Sequence, residues 1–543
     1  MDKAVWARDL VEIAASRSFF RALPQPPHDL LWGHLKIIGE VAATFPPNTH
    51  PQHFYTAIAQ KYNLKGIFYI DLWPIGPSSV VLNDPSVSEQ VTVAHPLRQH
   101  KMVDEFLAPI LGHDVIAAAN GATWKKLHNA MSPAFSWSHI RNLTGVIAEE
   151  GMHFRDTLNE LARVEGVFSM EETAMKLIFD VITRIVFNFS LNAQTKGSST
   201  LDDLREMVHL AENQLSFNPF VHLVTFFKRR SVLGRLHPSI LQKIRERLAL
   251  LRSGNIVPSR RDPESILDLM LRDHVKDDVN MKGAGISDLP PEYTEILLTN
   301  IKGLLVGGHG TTTDTLCYIY MLLAKTPEVV RKLREEHTRV FDKDFKETMD
   351  LVLQSPAKLE ELEYTAAVIK ETLRLFPVGF GVREAEAGQV INHECFTIHM
   401  LTHDDRMKVN FNGQSYPIDN GLCVALNAHA VQYDPENFAD PAEFKPERWI
   451  EEEIPRSHFR TFGRGSRACL GLNLAQNELK IILLMTIRDY DFECANLKPN
   501  EKPRTCYTKL DTVYGDIVFQ ELGLEAKPRG GMMMKVKKVG IFI

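Results

Sequence analysis

One cysteine of this chain lies in a turn that is rich in glycine and arginine. Residues 462–471 read FGRGSRACLG, so Cys469 is accompanied by three glycines and two arginines. A buried structural cysteine behaves as a small hydrophobe and needs no such setting. A metal-binding thiolate does, because nearby cations stabilise its charge and glycine lets the backbone bend closely around the metal. The turn therefore makes Cys469 a candidate metal ligand, and the rest of the chain must decide.

The remaining cysteines show no comparable pattern. They are scattered and include no CxxC pair, so neither a zinc ribbon nor a disulfide framework is indicated. We interpret them as ordinary buried thiols in a reducing environment. They are Cys317, Cys395, Cys423, Cys494 and Cys506.

A long helix is predicted between the prolines at 290–291 and about residue 325. Its centre reads LLVGGHGTTTDT (304–315), and each glycine there weakens a helix by about 0.8–1 kcal/mol relative to alanine. Glycine also allows a flat molecule to approach the helix backbone. We expect the Thr311 hydroxyl to bond to the carbonyl of Gly307 one turn back, which bends a helix locally.

Three charged side chains could come together in the fold. Glu371 and Arg374 in KETLRLFP are spaced i, i+3 and share one helix face. The turn-rich segment DPENFADPAEFKPERW (434–449) carries Arg448, which could join that pair from outside the helix. Taken alone, a Glu-x-x-Arg pair is a commonplace surface feature worth a few tenths of a kcal/mol.

Two aromatic side chains are predicted on one face of another helix. Trp124 and His128 are spaced i, i+4 in GATWKKLHNAMSPAF (121–135).

The elements that must position these residues are mostly helical. Amphipathic runs at 139–164 and 326–341 predict long helices, and short strands are expected near 66–73, 78–84 and 396–400 and in the last forty residues. Apolar residues make up 44% and charged residues 24%, as in a globular protein with a sizeable core. A net charge of −6 excludes a generally basic, nucleic-acid-coating protein, so no nucleic-acid partner is expected.

The N-terminal segment 1–30 differs from the rest. Seven charges within residues 2–21 exclude a membrane-spanning helix and a signal peptide there. Its apolar residues suit an amphipathic helix that lies on a bilayer or packs on its own protein. We predict a membrane-proximal segment 1–30 followed by one domain, 31–543.

These motifs together resemble the cytochrome P-450 superfamily. FGRGSRACLG matches the family's haem-binding signature Phe-x-x-Gly-x-Arg-x-Cys-x-Gly at every position. The Glu-x-x-Arg helix, the Pro-Glu-Arg-Trp segment and the glycine–threonine helix occur in the family's order, from about residue 30 to about residue 540. The resemblance, to a fungal microsomal type, implies a mainly α fold with minor β and haem b between the long helix and the cysteine turn.

The resemblance also implies roles for individual residues. Cys469 becomes the thiolate ligand of the haem iron, with Gly465 and Gly471 permitting the tight turn and Phe462 shielding the sulfur. Side chains expected to contact the haem propionates are Trp124, His128, Arg383 and Arg467. His128 stands where arginine is usual in the family. A structural triad that holds the turn-rich segment 434–449 against the helix would consist of Glu371, Arg374 and Arg448.

The long helix departs from the family at one position. The family pattern Ala/Gly-Gly-x-Asp/Glu-Thr-Thr is read here as Gly307 to Thr312, with Gly310 in place of the acid. In the family that acid and the following alcohol help to deliver protons to dioxygen. Thr311 is retained as a catalytic residue, and Thr311 itself, His309 or ordered water could compensate. Asp314, one turn on, is more simply a packed or solvated residue.

The expected function is that of a monooxygenase. It would use dioxygen and electrons from a separate NADPH-cytochrome P-450 reductase, since the stretch after Cys469 is too short for a flavin domain. The substrate is expected to be apolar, a fungal secondary-metabolite intermediate, and the location the cytosolic face of the endoplasmic reticulum membrane or the cytoplasm. Candidate pocket walls are 95–120, 213–227, 301–313 and 377–382. A basic patch for the reductase is expected at Lys125, Lys126, Arg460 and Arg464.

Two alternatives remain open from the sequence. The glycine at position 310 favours a haem-thiolate enzyme that inserts no oxygen, such as an isomerase, a dehydratase or a peroxygenase. A haem sensor or carrier without turnover is the other.

Overall fold

The structure is a computed structural model and describes residues 20–73, 75–213, 218–280, 289–385, 407–419 and 421–540. Helix accounts for 57% and strand for 10%, which confirms the predicted fold class. The predicted strand at 396–400 and most of the segment 1–30 lie outside the described residues, so the domain boundary at 30 stays a prediction.

The α-helices of the described residues are α1 (Leu35–Ala42), α2 (Pro51–Lys61), α3 (Pro85–Glu89), α4 (Lys101–Leu111), α5 (Gly121–Met131), α6 (Trp137–Asn142), α7 (Thr144–Val164), α8 (Met170–Phe187), α9 (Ser199–Glu212), α10 (Pro219–Ser253), α11 (Ile266–Asn280), α12 (Pro291–Leu323), α13 (Pro327–Val340), α14 (Phe345–Gln354), α15 (Glu363–Leu375), α16 (Ala428–Gln432), α17 (Arg448–Glu451), α18 (Leu472–Thr486) and α19 (Asp511–Tyr514). The strands are β1 (Ile67–Ile70), β2 (Ser79–Leu82), β3 (Arg98–Gln99), β4 (Phe168–Ser169), β5 (Gly381–Glu384), β6 (Lys408–Phe411), β7 (Gln414–Pro417), β8 (Cys423–Leu426), β9 (Tyr490–Cys494), β10 (Glu521–Leu522), β11 (Ala526–Lys527) and β12 (Met533–Lys538).

Small sheets flank the helices. The largest has the order β1-β2-β8-β5-β3, in which β2 and β8 run parallel and the other neighbours antiparallel. A three-stranded sheet has the order β4-β12-β9, and β6–β7 and β10–β11 form two-stranded hairpins. The register Leu522↔Ala526 fixes the turn of the last hairpin, which carries Glu525.

Helix α12 forms as predicted and passes through the core. At about 1.5 Å per residue it spans roughly 50 Å, and nearly all of its C-terminal half is buried. The Thr311 hydroxyl donates to the Gly307 carbonyl at 3.1 Å, which confirms the expected bond. A Cβ at Gly308 would lie 2.6 Å from Ile182, whereas no atom lies within 4 Å of a Cβ at Gly307. Gly308 therefore lets α8 pack closely, and Gly307 leaves open space beside the helix.

The predicted run 139–164 divides into two helices. Helix α6 ends at Asn142 and α7 begins at Thr144. The amide of the buried Leu143 bonds to the carbonyl of Ile140, three residues back, which makes a tighter turn than an α-helix allows. The predicted helix 326–341 is confirmed as α13.

The structure brings the predicted charge triad together in the interior. Glu371 accepts bonds from Arg374 at 2.8 and 2.9 Å and from the Arg448 Nε at 3.0 Å, and none of the three side chains is exposed. Burial alone would raise the pKa of Glu371, but the two guanidiniums outweigh it and hold that pKa below its ordinary value. The triad is therefore a charged cluster that the fold must keep paired.

The guanidiniums use their remaining donors to hold the irregular segment that precedes α17. Arg374 donates to the carbonyls of Pro441 and Glu443, and Arg448 donates to the carbonyl of Ala439 at 2.7 Å. These charge-assisted bonds replace the regular backbone pairing that the segment lacks. The turn-rich segment 434–449 is thereby held against helix α15.

Removing Arg448 should destabilise the protein strongly. Arg448→Met leaves the buried Glu371 with one guanidinium, and breaking a buried ion pair costs about 3–5 kcal/mol. Urea unfolding followed by circular dichroism measures the loss. The matched control is Arg331→Met, which breaks exposed ion pairs with Glu328 and Glu335 and should leave the midpoint nearly unchanged. Equal midpoints for both variants would contradict the structural role of the triad.

Candidate active site

The cysteine turn is shaped by glycines that tolerate no side chain. Gly463 and Gly465 have φ angles of +66° and +76°, in the left-handed region that favours glycine. A Cβ at Gly465 would also lie 1.8 Å from the carbonyl oxygen of Thr92. The Cys469 amide closes the turn by donating to the Phe462 carbonyl at 2.8 Å. Gly471, expected to permit the tight turn, has an ordinary φ of −82°, so that role belongs to Gly463 and Gly465.

The Cys469 sulfur lies at the N-terminus of helix α18. Burial raises the pKa of the thiol above its ordinary value, and the amides of Gly471 and Leu472 oppose this by donating to the sulfur. These amides are the first of the helix, where unpaired N–H groups and the helix dipole favour negative charge. The helix end is therefore arranged to accept a thiolate, although the protein alone does not make the thiol acidic.

A cavity of about 340 Å³ separates the cysteine turn from helix α12. One side consists of Phe462, Arg467, Cys469 and the start of α18. The opposite side is the glycine-rich stretch of α12 that ends at Thr311 and Thr312. The open space beside Gly307 belongs to this cavity, as expected for a helix face that a flat molecule approaches.

Two guanidiniums near the cavity, the buried Arg383 and the half-buried Arg467, have no carboxylate partner among the described residues. Arg467 donates to the Ala119 carbonyl at 2.8 Å and the Asn120 side chain at 2.9 Å, and lies 4.3 Å from the centroid of the Trp124 ring. Arg383 donates to the side chain of Gln99, which lines the cavity, and to a backbone carbonyl. Burial lowers the pKa of both guanidiniums to about 10, so both are charged at neutral pH.

This donor set fits haem. A buried cation is costly unless an anion compensates it, and a haem presents two propionates together with an iron that accepts a thiolate. The Trp124 indole and the His128 ring lie against each other, 4.9 Å between centroids, and both line the cavity. Arg467, Arg383, Trp124 and His128 would hold the propionates, and Cys469 would bind the iron.

The structure thus gathers most of the predicted site residues. Thr311, Trp124, His128, Phe462, Arg467 and Cys469 line one cavity, Arg383 lies next to it, and the triad lies outside it. The proposed reductase patch is wrong in one member. Arg460 is 5% exposed and donates to Glu89 at 2.9 Å and to Thr92, so it is not a surface cation. Arg464 bonds to the same Glu89.

Sequence reasoning missed Gln432, which connects the triad to the cysteine turn. Its side-chain amide donates to the Arg374 carbonyl at 2.8 Å, and its side-chain oxygen accepts from the Arg460 amide and lies 3.1 Å from the Thr461 hydroxyl oxygen. Thr461 in turn donates to the Leu373 carbonyl. The residue lies in a short helix without a distinctive motif, so only its position in space reveals its role.

A second missed residue is Glu478 of helix α18. It lines the cavity and is 1% exposed, and burial raises its pKa well above the ordinary value. Burial thus favours the neutral form of this carboxyl. Glu478 follows Ala475 by three residues and Leu474 by four, and all three line the cavity. This helical spacing is the sequence signal that could have placed Glu478 on the same face.

The residues around Gly310 do not all face the same way. Thr311 lines the cavity with Cys469, whereas His309, Gly310 and Asp314 line a second cavity. His309 is buried, bonds to the Leu305 carbonyl at 2.6 Å and has its pKa lowered to about 4 by burial. It is therefore neutral at pH 7 and has no acidic proton to supply in place of the missing acid. Asp314 is packed rather than solvated, at 3% exposure.

Among the described residues, no helix combines the length and the apolar character needed to span a membrane.

Comparison with known proteins agrees with this geometry. The family model for cytochrome P-450 matches residues 24–510. A cytochrome P-450 monooxygenase named polC, from Polytolypa hystricis, is 29% identical over 506 residues, which cover 90% of this chain and 85% of the relative. Another, named acrF, from Aspergillus aculeatus, is 28% identical over 524 residues, which cover 91% of this chain and 99% of the relative. The predicted fungal haem-thiolate monooxygenase is thereby confirmed, and the chain belongs to the cytochrome P-450 family.

Proposed function

We propose that this monooxygenase hydroxylates or epoxidises an apolar intermediate of fungal secondary metabolism. The observation that carries the proposal is the single cavity that joins the Cys469 thiol at a helix N-terminus to the Thr311 hydroxyl of α12. The first group would bind the haem iron as a thiolate, and the second would carry a proton from the facing wall of the cavity.

Individual residues of the chain would have separate roles in this reaction. Haem b, when bound, supplies the redox chemistry that activates dioxygen. Cys469 provides the thiolate, the amides of Gly471 and Leu472 disperse its charge, and Phe462 covers the sulfur. The Thr311 hydroxyl donates its hydrogen to the Gly307 carbonyl. Its lone pairs are therefore available to accept a bond from water in the cavity.

The walls of the cavity favour an apolar substrate. Ile116, Phe135, Ile182 and Leu304 all line it. Two of the predicted wall segments, 95–120 and 301–313, contribute lining residues. Most ligand pockets are built this way, with few polar groups among apolar ones.

A separate NADPH-cytochrome P-450 reductase is proposed as the electron donor, because the family generally uses a redox partner with dioxygen. Lys125 and Lys126 of α5 remain candidates for its docking site. Lys126 lies 6.0 Å from the Tyr293 ring, so part of its side chain packs on the protein.

We further propose that the protein associates peripherally with the cytosolic face of the endoplasmic reticulum membrane. Helix α10 begins with exposed apolar residues at i, i+3, i+4 and i+7, namely Phe220, Leu223, Val224 and Phe227, with Phe220 76% exposed. Cations at 228–230 follow directly. An apolar stripe next to cations suits a helix that lies in the interface of an anionic bilayer.

The redox-neutral alternative depended on the missing acid at position 310. That position is filled from elsewhere in the chain, since the Glu525 carboxylate lies against Gly310. An acid is thus present beside position 310, so the glycine there no longer favours an enzyme that inserts no oxygen.

Replacing the ligand cysteine should abolish thiolate ligation. We expect Cys469→Ala to lose haem or to lose the thiolate Soret band in the reduced carbon monoxide spectrum. Cys506→Ala is the control, because that thiol is exposed and bonds to Gln60 instead. A Cys469→Ala protein that keeps the wild-type band would contradict the assignment.

Removing the Thr311 hydroxyl should uncouple the reaction. Thr311→Ala is expected to consume NADPH while releasing hydrogen peroxide in place of product, because a proton carrier on the cavity wall is lost. NADPH, peroxide and product are measured in the same reaction. Thr294→Ala removes a hydroxyl from the exposed start of the same helix and should stay coupled. Turnover that needs neither Thr311 nor NADPH would instead support a redox-neutral enzyme.

Membrane association should depend on the apolar stripe of α10. Phe220→Ser with Phe227→Ser should reduce co-sedimentation with vesicles that contain anionic lipid, and high salt should reduce it further. The control is Leu250→Ser, at an exposed apolar position near the other end of the helix. Equal binding of all three proteins would exclude the stripe as the contact, and resistance to carbonate extraction would show an anchor of another kind.

A further inference from the structure

Gly310 is enclosed by a carboxylate from the C-terminal hairpin. A Cβ at position 310 would lie 2.4 Å from the Oε1 atom of Glu525 and 3.2 Å from its Cδ. Real Cβ atoms do not approach oxygen this closely, so Glu525 occupies the space that a side chain at 310 would need. The position that is acidic in the family pattern is therefore glycine here, with an acid beside it.

The backbone that follows Glu525 is hydrogen-bonded to helix α12 and to the segment after α15. The Ala526 amide donates to the Val378 carbonyl at 3.0 Å, and the Ala526 carbonyl accepts from Gln520 at 2.9 Å. The Tyr318 hydroxyl of α12 donates to the carbonyl of Lys527. Contacts of the two residues that follow Glu525 thus hold its turn at helix α12.

Glu525 also lines the second cavity, which has a volume of about 420 Å³. Asp202, Arg205 and His209 of α9 line the same cavity and are exposed to solvent, so it reaches the surface. Water occupies roughly 30 Å³ per molecule in the liquid. A polar cavity of this size accommodates a connected chain of waters between solvent and Gly310.

Asp314 gives the inner end of this cavity a second carboxyl group. It is 3% exposed, and its Oδ2 atom has no hydrogen-bond partner among the described residues. Burial raises its pKa well above the ordinary value, the carboxylates of Glu525 and Glu171 raise it further, and Lys527 only partly opposes them. Burial and the neighbouring carboxylates thus favour the neutral form of Asp314, next to Glu525.

We propose that Glu525 relays protons from the second cavity to the Thr311 hydroxyl, in place of the acid that is missing at position 310. The inference rests on the proposed function. Glu525 takes up a proton from water in the second cavity and then releases it through water past Gly310 to Thr311, so Glu525 returns to the carboxylate form without net change. Because Glu525 acts through Thr311, it is a positioning residue rather than a catalytic one.

The first test is structural and needs no turnover. Alanine normally stabilises a helix relative to glycine. Gly310→Ala should instead lower the urea midpoint of the holoenzyme, because its methyl group meets Glu525. In a Glu525→Ala background the same substitution should raise the midpoint. The same effect in both backgrounds would show that Glu525 does not occupy this space and would overturn the proposal.

The second test measures coupling. Glu525→Gln should lower product per NADPH by at least about tenfold and raise peroxide correspondingly, with haem content and the carbon monoxide spectrum unchanged. Glu525→Ala combined with Gly310→Asp moves the acid onto α12 and should restore coupling. The control, Glu521→Gln, changes a carboxylate of the same hairpin that bonds to Arg529 and should stay coupled.

The outcomes separate this inference from the function on which it rests. A wild-type enzyme that couples NADPH to product no better than Glu525→Gln overturns the relay alone. A wild-type enzyme that forms its product without dioxygen overturns the proposed function itself, whatever the unfolding data show.

Discussion

The structure depends on charged groups at one cavity that need partners of opposite charge. Cys469 lies at a helix N-terminus arranged for a thiolate, yet burial keeps its pKa high. The buried Arg383 and the half-buried Arg467 lie near the same cavity without a carboxylate partner among the described residues. A haem satisfies these demands at once, because its iron stabilises the thiolate and its propionates pair with the guanidiniums. Cofactor binding is therefore expected to contribute to folding as well as to chemistry.

A buried charge cluster elsewhere in the fold is connected to the cysteine turn by hydrogen bonds. Glu371 pairs with Arg374 and Arg448, and these hold the irregular segment before α17. Gln432 then links the triad helix to residues 460 and 461, just before the turn. The position of the sulfur is thus set by hydrogen bonds that begin far from the haem site.

Local sequence predicted the parts that short-range rules govern. The cysteine turn, the α12 helix, the Thr311–Gly307 bond and the Trp124–His128 pair follow from spacing and residue type. The resemblance supplied the triad and Arg383, and the structure supports both. Contacts between distant segments were beyond such rules.

Three residues show why. Arg460 looked like a surface cation, but Glu89 from a remote helix pairs with it in the interior. Gln432 has no motif around it. Gly310 looked like the loss of an acid, yet Glu525 from a hairpin far along the chain fills its place. Residue type and spacing carry no information about which remote side chain arrives at a given site.

Isotopic labelling of the product tests the central claim most directly. Purified protein, reductase, NADPH and a panel of apolar metabolites are incubated under ¹⁸O₂, and the products are analysed by mass spectrometry. We predict a product that forms only with NADPH and carries one labelled oxygen atom. A product that forms without NADPH and carries no label from dioxygen would contradict the account.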